Sequence, residues 1–196
     1  NGRFGGGRAA PGEAATLHSA AGSGSIEQDL LPPESAAAPE GSIFEISPAR
    51  NALMHRVASL ICRERGAALL FDYGHLQPGY GDTLQALSRH TPVDTLSTPG
   101  AADITTHVDF HSLAQTARAA GSKTSAMSQG DFLLSMGLLD RAGALGRGKA
   151  PQLQDQIRAD VERLAGPDEM GTLFKVMCVT DPPTHAFPFQ TNETAH

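Results

Sequence analysis

Two apolar-rich runs stand out along the chain, Ala67–Phe71 and Thr172–Val179. The first lacks polar interruption and ends in Asp72, and it directly follows a helical pattern and Gly66. Such a run predicts a central parallel strand buried on both faces. The second predicts another strong strand, stopped by Pro182-Pro183, with a tail beyond it.

Helical periodicity separates these runs. Ser47-Pro48 reads as N-cap and first helical residue, and Leu53, Val57, Leu60 and Ile61 share one face before Gly66 caps the end. Thr106-His107-Val108-Asp109 reads as a capping box with Thr106 as N-cap. It opens a helix over Val108–Ala120. Ser128-Gln129-Gly130-Asp131 repeats that pattern before a short helix to Gly137, which Leu138–Leu145 continue. Pro151 opens a further helix whose stripe of Leu153, Ile157, Val161 and Leu164 is expected to face the core. Period-two alternation predicts a strand at Ile43–Ile46, and Ser122–Met127 and Thr83–Leu87 read as short extended segments. The rest of Leu76–Thr105 is a long loop, and long loops in compact domains are usually functional.

Glycine and proline set the boundaries. Residues 1–41 hold Gly5-Gly6-Gly7, Gly22-Ser23-Gly24-Ser25 and Pro32-Pro33, and they read as a flexible or partly extended segment with a short strand at Asn1–Phe4. Neither glycine cluster follows an apolar strand and opens a helix, so neither reads as a phosphate loop. Gly146-Arg147-Gly148-Lys149 is a flexible link. The expected organisation is therefore 1–41 flexible, 42–180 a folded domain and 181–196 a tail. A start at Asn1 rather than Met reads as a processed or partial chain.

Composition narrows the function classes. Fifteen Lys and Arg against 21 Asp and Glu give a formal charge of −6 over 196 residues. No basic cluster offers a footprint for phosphates, which argues against nucleic-acid binding. No apolar stretch approaches the ~18 residues of a membrane span. Two cysteines, Cys62 and Cys178, make neither a disulfide framework nor a zinc site by themselves.

Candidate chemistry collects at one place. In open α/β sheets functional residues lie past the carboxyl ends of strands, and Asp72-Tyr73-Gly74-His75 has that position after the first run. The alternative for Asp72 is a strand-ending turn. Among eight histidines only His107 and His111 have i, i+4 helical spacing, and Val108 stands where a zincin would have glutamate. Asp103, His107 and His111 would be the ligands of a metal-dependent hydrolase, a minor reading. No Gly-x-Ser-x-Gly nucleophile elbow is present.

Longer strings are more specific. Gly66-Ala67-Ala68-Leu69-Leu70-Phe71-Asp72-Tyr73-Gly74-His75 followed by Gly81-Asp82-Thr83-Leu84-Gln85-Ala86 resembles the MidA-like S-adenosylmethionine-dependent methyltransferases. Asp103–Phe110, Gln129–Leu133, Glu169–Val176 and, upstream, Glu45-Ile46-Ser47-Pro48 agree in order and approximate spacing. The family includes a mitochondrial assembly factor of respiratory complex I.

The resemblance implies an α/β class I methyltransferase fold, a Rossmann-like sheet with helices on both faces. It implies S-adenosylmethionine as cofactor and protein-arginine N-methylation as activity, with a complex I core subunit as substrate. The implied compartment is the mitochondrial matrix or a bacterial cytoplasm. The family's Gly-rich cofactor loop and acidic ribose site are not found in this sequence. The chain thus resembles the carboxyl-terminal half of the fold, strands five to seven with their helices plus a loop-rich insertion. Ala67–Asp72 would be strand five with an exposed edge, and Ser122–Met127 and Thr172–Val179 the last antiparallel pair. Such a chain alone would bind the cofactor negligibly, and would aggregate or partly unfold. Asp72, Tyr73, His75, His107 and Asp109 would then face the substrate. The competing reading is a non-catalytic assembly or scaffold module that acts by binding a partner protein.

Overall fold

A computed structural model describes residues 2–4, 19–21, 38–89, 91–96 and 100–189. The Gly5–Gly7 and Gly22–Ser25 clusters and the end of the tail lie outside them. The chain divides into two compact units, one of residues 1–46 with 79–107, the other of 47–78 with 108–196.

In the first unit, β1 (Gly2–Phe4) pairs antiparallel with β2 (Ser19–Ala21). Strands β4 (Gln85–Ser88), β5 (Thr91–Val93) and β6 (Asp103–Thr105) form an antiparallel sheet in the order β5-β4-β6. Ala86 in its centre is buried. Ile43–Ile46 is not a strand. Among the described residues no strand pairs with it; instead the Ile43 carbonyl accepts from Gly81 N at 2.9 Å, and Ile43 and Ile46 stay exposed. Phe44 meets Tyr80 edge to face.

The second unit carries a four-stranded sheet in the order β7-β3-β9-β8. Its strands are β3 (Ala67–His75), β7 (Val108–Asp109), β8 (Lys123–Ser128) and β9 (Phe174–Thr180). β9 runs antiparallel to both β3 and β8, and β7 runs parallel to β3 through two residue pairs only, Gly74 with Val108 and His75 with Asp109. β9 is the buried centre, with Val176–Thr180 all buried. β3 is not the both-faces-buried parallel strand that its apolar run suggests. One face, Ala68 and Leu70, packs on a helical core, while Leu69 and Phe71 on the other are 49% and 47% exposed. Among the described residues its outer edge over Ala67–Tyr73 has no strand partner.

Helices α1 (Pro48–Glu64) and α2 (Phe110–Ala119) cover one sheet face. The buried face of α1 is Met54, Ala58 and Ile61 with Val57 packed beside it, so of the expected stripe Val57 and Ile61 face the core while Leu53 and Leu60 are exposed. The helix ends at Glu64, and Arg65, not Gly66, is its C-cap at φ 67°. α2 starts two residues after the expected Val108, and its cap lies three positions beyond the expected one. Asp109, not Thr106, is the N-cap and accepts from Ser112 N at 3.0 Å, because Val108–Asp109 is drawn into the sheet beside β3.

On the other face lie α3 (Gln129–Ser135), Phe189 and, at one end, α6 (Met170–Leu173). Ser128 caps α3 as expected, its hydroxyl accepting from Asp131 N at 3.1 Å. Gly137 at φ 84° breaks the expected continuous helix, so α4 (Leu138–Gly146) is separate. α5 (Pro151–Ala165) has the expected bounds but no buried residue; its apolar stripe faces α4 rather than the sheet. Beyond β9, where a tail is expected, Asp181 and Phe189 are buried. Among the described residues no helix is long and apolar enough to cross a membrane.

Candidate functional site

The carboxyl end of β3 is held by a close backbone approach. Gly74 is buried against Val108, and a β-carbon on Gly74 would overlap the Val108 carbonyl oxygen. Only glycine lets β7 come alongside here. That approach sets His75 opposite Asp109, with Nδ1 4.0 Å from Asp109 Oδ1. Nδ1 also lies 2.7 Å from the Gln77 carbonyl oxygen. A carbonyl only accepts, so in the neutral ring Nδ1 carries the hydrogen and Nε2 is left as the basic nitrogen. Asp109 is buried and does two things at once: one oxygen caps α2 and faces His75.

The other residues past β3 divide between the two faces of its pleat. Successive side chains point to opposite sides. Asp72 shares the side of Ala68 and Leu70, and its Oδ1 accepts from Tyr73 N at 2.9 Å, the turn-like contact of the plainer reading. Tyr73 points with Phe71 to the opposite side and meets Phe174 edge to face at 5.6 Å. The structure thus brings His75 and Asp109 together and sets Asp72 apart from Tyr73.

His107 belongs to the first unit, where it has its own support. Its backbone N donates to Thr83 Oγ1 at 2.9 Å. Thr83 donates in turn from its hydroxyl to Glu45 Oε2 at 2.5 Å and from its backbone N to Glu45 Oε1 at 2.9 Å. Glu45 and Thr83 are functional candidates that residue-type reasoning passed over. Both sit inside the strings that carried the family resemblance, which was the available signal.

Among the described residues no three His, Cys, Asp or Glu side chains gather as a metal site requires. Asp103, His107 and His111 therefore form no ligand set; the His111 ring nitrogen instead contacts Gln115 Nε2 at 2.9 Å. No residue of this chain is assigned to the cofactor.

Comparison with known proteins gives these geometries a family. A family model described as "Putative S-adenosyl-L-methionine-dependent methyltransferase" matches residues 10–128. The chain belongs to that family, whose cofactor is S-adenosylmethionine. Rat mitochondrial protein arginine methyltransferase NDUFAF7 is 34% identical over 137 residues, covering 66% of this chain and 30% of the rat protein. The Drosophila melanogaster homologue is 36% identical over 125 residues, covering 63% of this chain and 28% of its own length. The chain spans about 30% of the length of such curated relatives. A crystal structure of an uncharacterised Burkholderia thailandensis protein aligns with TM-score 0.64 at 29% identity, covering 72% of this chain and 39% of that one. A second crystal structure from the same organism, of a "likely methyl transferase" bound to S-adenosyl-homocysteine, aligns with TM-score 0.60 at 29% identity, covering 70% of this chain and 37% of that one.

Proposed function

We propose that the protein carrying this chain transfers a methyl group from S-adenosylmethionine to an arginine of a protein substrate, with this chain on the substrate side. The observation that carries the reading is the His75–Asp109 pair, with the basic Nε2 of His75 left over. The names of the relatives support arginine as the acceptor.

When bound, S-adenosylmethionine supplies an electrophilic methyl for in-line displacement, so positioning of the accepting nitrogen is most of the catalytic task. A guanidinium suits carboxylates in bidentate contact, and Asp72 would orient it. Its nitrogen must also lose a proton. His75 Nε2 would accept that proton, while Asp109 opposite stabilises the imidazolium. Tyr73, edge to face with Phe174 on the other side of the pleat from Asp72, and His107, held in the first unit by Thr83 and Glu45, are separate candidates for substrate contact. Cofactor contacts would come from the amino-terminal half of the family's fold, which this chain, spanning about 30% of its relatives, does not cover. The resemblance points further to a complex I core subunit as substrate and to the mitochondrial matrix or a bacterial cytoplasm as compartment.

The test is methyl transfer from radiolabelled S-adenosylmethionine by the full-length protein to complex I core subunits, followed by amino-acid analysis. Label on methylated arginine, lost in His75→Ala, is the expected result; label on another residue type, or none, overturns the reading. In calorimetry the isolated 196-residue chain is expected to bind the cofactor negligibly, and micromolar binding would contradict that division of labour.

A further inference from the structure

Away from the β3 end, β8 is the outermost strand of its sheet among the described residues. A groove of about 1180 Å³ lies along it. Every residue from Lys123 to Met127 lines this groove. Successive strand side chains point to opposite faces, so five consecutive lining residues mean that the groove borders the strand's edge, not one face. One wall is α2, through His111, Ala114 and Arg118 at helical spacing. The other is α3 with the segment after β9, and Phe110, Cys178 and Phe189 give the groove apolar side chains.

An open strand edge presents unpaired backbone N–H and C=O groups, and natural edges are usually short, charged or covered. Here the flanking elements leave a channel beside the edge. We propose that this groove binds an extended, acidic segment of a partner protein, added as a further strand on β8. Charge selects the occupant. The basic side chains lining it are His111, Arg118, Lys123 and His185 against one carboxylate, Asp131. Asp131 is already engaged by the Ser128 hydroxyl at 2.7 Å, and Arg118 Nε is anchored on Thr124 Oγ1 at 2.9 Å beside the strand. The chain as a whole carries a charge of −6, so this basic lining runs against the molecule's average. In strand addition the backbone supplies affinity and alternate side chains supply specificity. Carboxylates near Arg118 and Lys123 would set the register, and the apolar floor would take the alternate side chains. This inference is independent of the methyl-transfer reading.

The experiment uses the full chain and a fluorescein-labelled hexapeptide of alternating glutamate and valine, read by fluorescence anisotropy. Binding is expected, weakened at least about tenfold when lysine replaces glutamate in the peptide and in the protein variant Arg118→Glu/Lys123→Glu. A peptide N-methylated at alternate amides, offered to the unaltered protein, is expected to lose binding because its hydrogen-bonding edge is blocked. Both substituted residues are exposed, and circular dichroism checks the fold. No binding by the unmodified peptide, or binding indifferent to N-methylation or to charge, overturns the proposal. Sedimentation showing that the chain dimerises through this edge, with loss in the double variant, overturns it in favour of a second copy.

Discussion

Gly74 and Val108 approach so closely that a single β-carbon on Gly74 would overlap the Val108 carbonyl. The obstacle is backbone, which cannot rotate away as a side chain could. Through this contact, the parallel pairing that places His75 beside Asp109 depends on a residue with no side chain.

Gly74→Ala is therefore expected to push β7 away from β3. Overpacking of this kind costs about 1–3 kcal/mol. Urea unfolding should show a lowered midpoint, and methyl transfer by the full-length protein should fall with it. An unchanged midpoint would contradict the close pairing.

Asp109 separates structure from chemistry. Asp109→Ala removes the cap on Ser112 N and should cost about 1 kcal/mol, whereas asparagine caps nearly as well as aspartate. Asp109→Asn should then leave stability nearly unchanged while methyl transfer falls about 10²-fold, as expected when a proton-accepting histidine loses its carboxylate partner. Thermal melts and single-turnover kinetics on the two variants check both halves.

Gly130 and Gly171, from two different family strings, both crowd the end of α5. A β-carbon on Gly130 would stand 2.7 Å from the Ala165 carbonyl oxygen, and one on Gly171 would overlap the same atom. Gln129 Nε2 adds a hydrogen bond to the Leu164 carbonyl at 2.9 Å. Gly130→Ala is expected to destabilise the second unit by about 1–3 kcal/mol, while Gly143→Ala, which meets open space on α4, should be neutral or slightly stabilising. Denaturant curves of the two variants check the contrast.

Asp181 gives the pH dependence. The Thr184 hydroxyl and the Gly66 backbone N–H hold its carboxyl below the usual range. The Gly66 amide donates to Asp181 Oδ1 at 3.0 Å across 115 positions of sequence, and the Asp181 amide returns a bond to the Gly66 carbonyl at 3.2 Å. A carboxyl lowered in the folded state contributes stability that is present above its unfolded value, about 4, and lost as pH falls through the folded value. Asp181→Asn should therefore lower stability at neutral pH and flatten its decline in acid. Melting temperatures from pH 7 down to pH 2 measure both effects; parallel curves for the two proteins would contradict the assignment.

Much of this molecule was legible as local pattern. Prolines at 48 and 151 mark true helix starts, Ser128 caps α3, and both apolar-rich runs contain strands. The family strings located the residues at the β3 end and those around Thr83. Such features depend on φ preferences, caps and periodicities that act within a few residues, so a linear reading can recover them.

What the sequence by itself determined was thus the main helices, the strands β3, β8 and β9, and the family, but not the β5-β4-β6 sheet inside the stretch that reads as a long loop. Partners and faces were decided by tertiary structure. Ala67–Phe71 reads as doubly buried, yet it lies beside β9 with one edge unpaired and half its side chains exposed. Asp109 reads as the third residue of a capping box, yet pairing with His75 makes it the cap itself. Glu45 reads as the polar position of a strand, yet it is the acceptor that holds Thr83 under His107. In each case the deciding contact joins residues at least 34 positions apart, and no local periodicity encodes which distant backbone will arrive alongside.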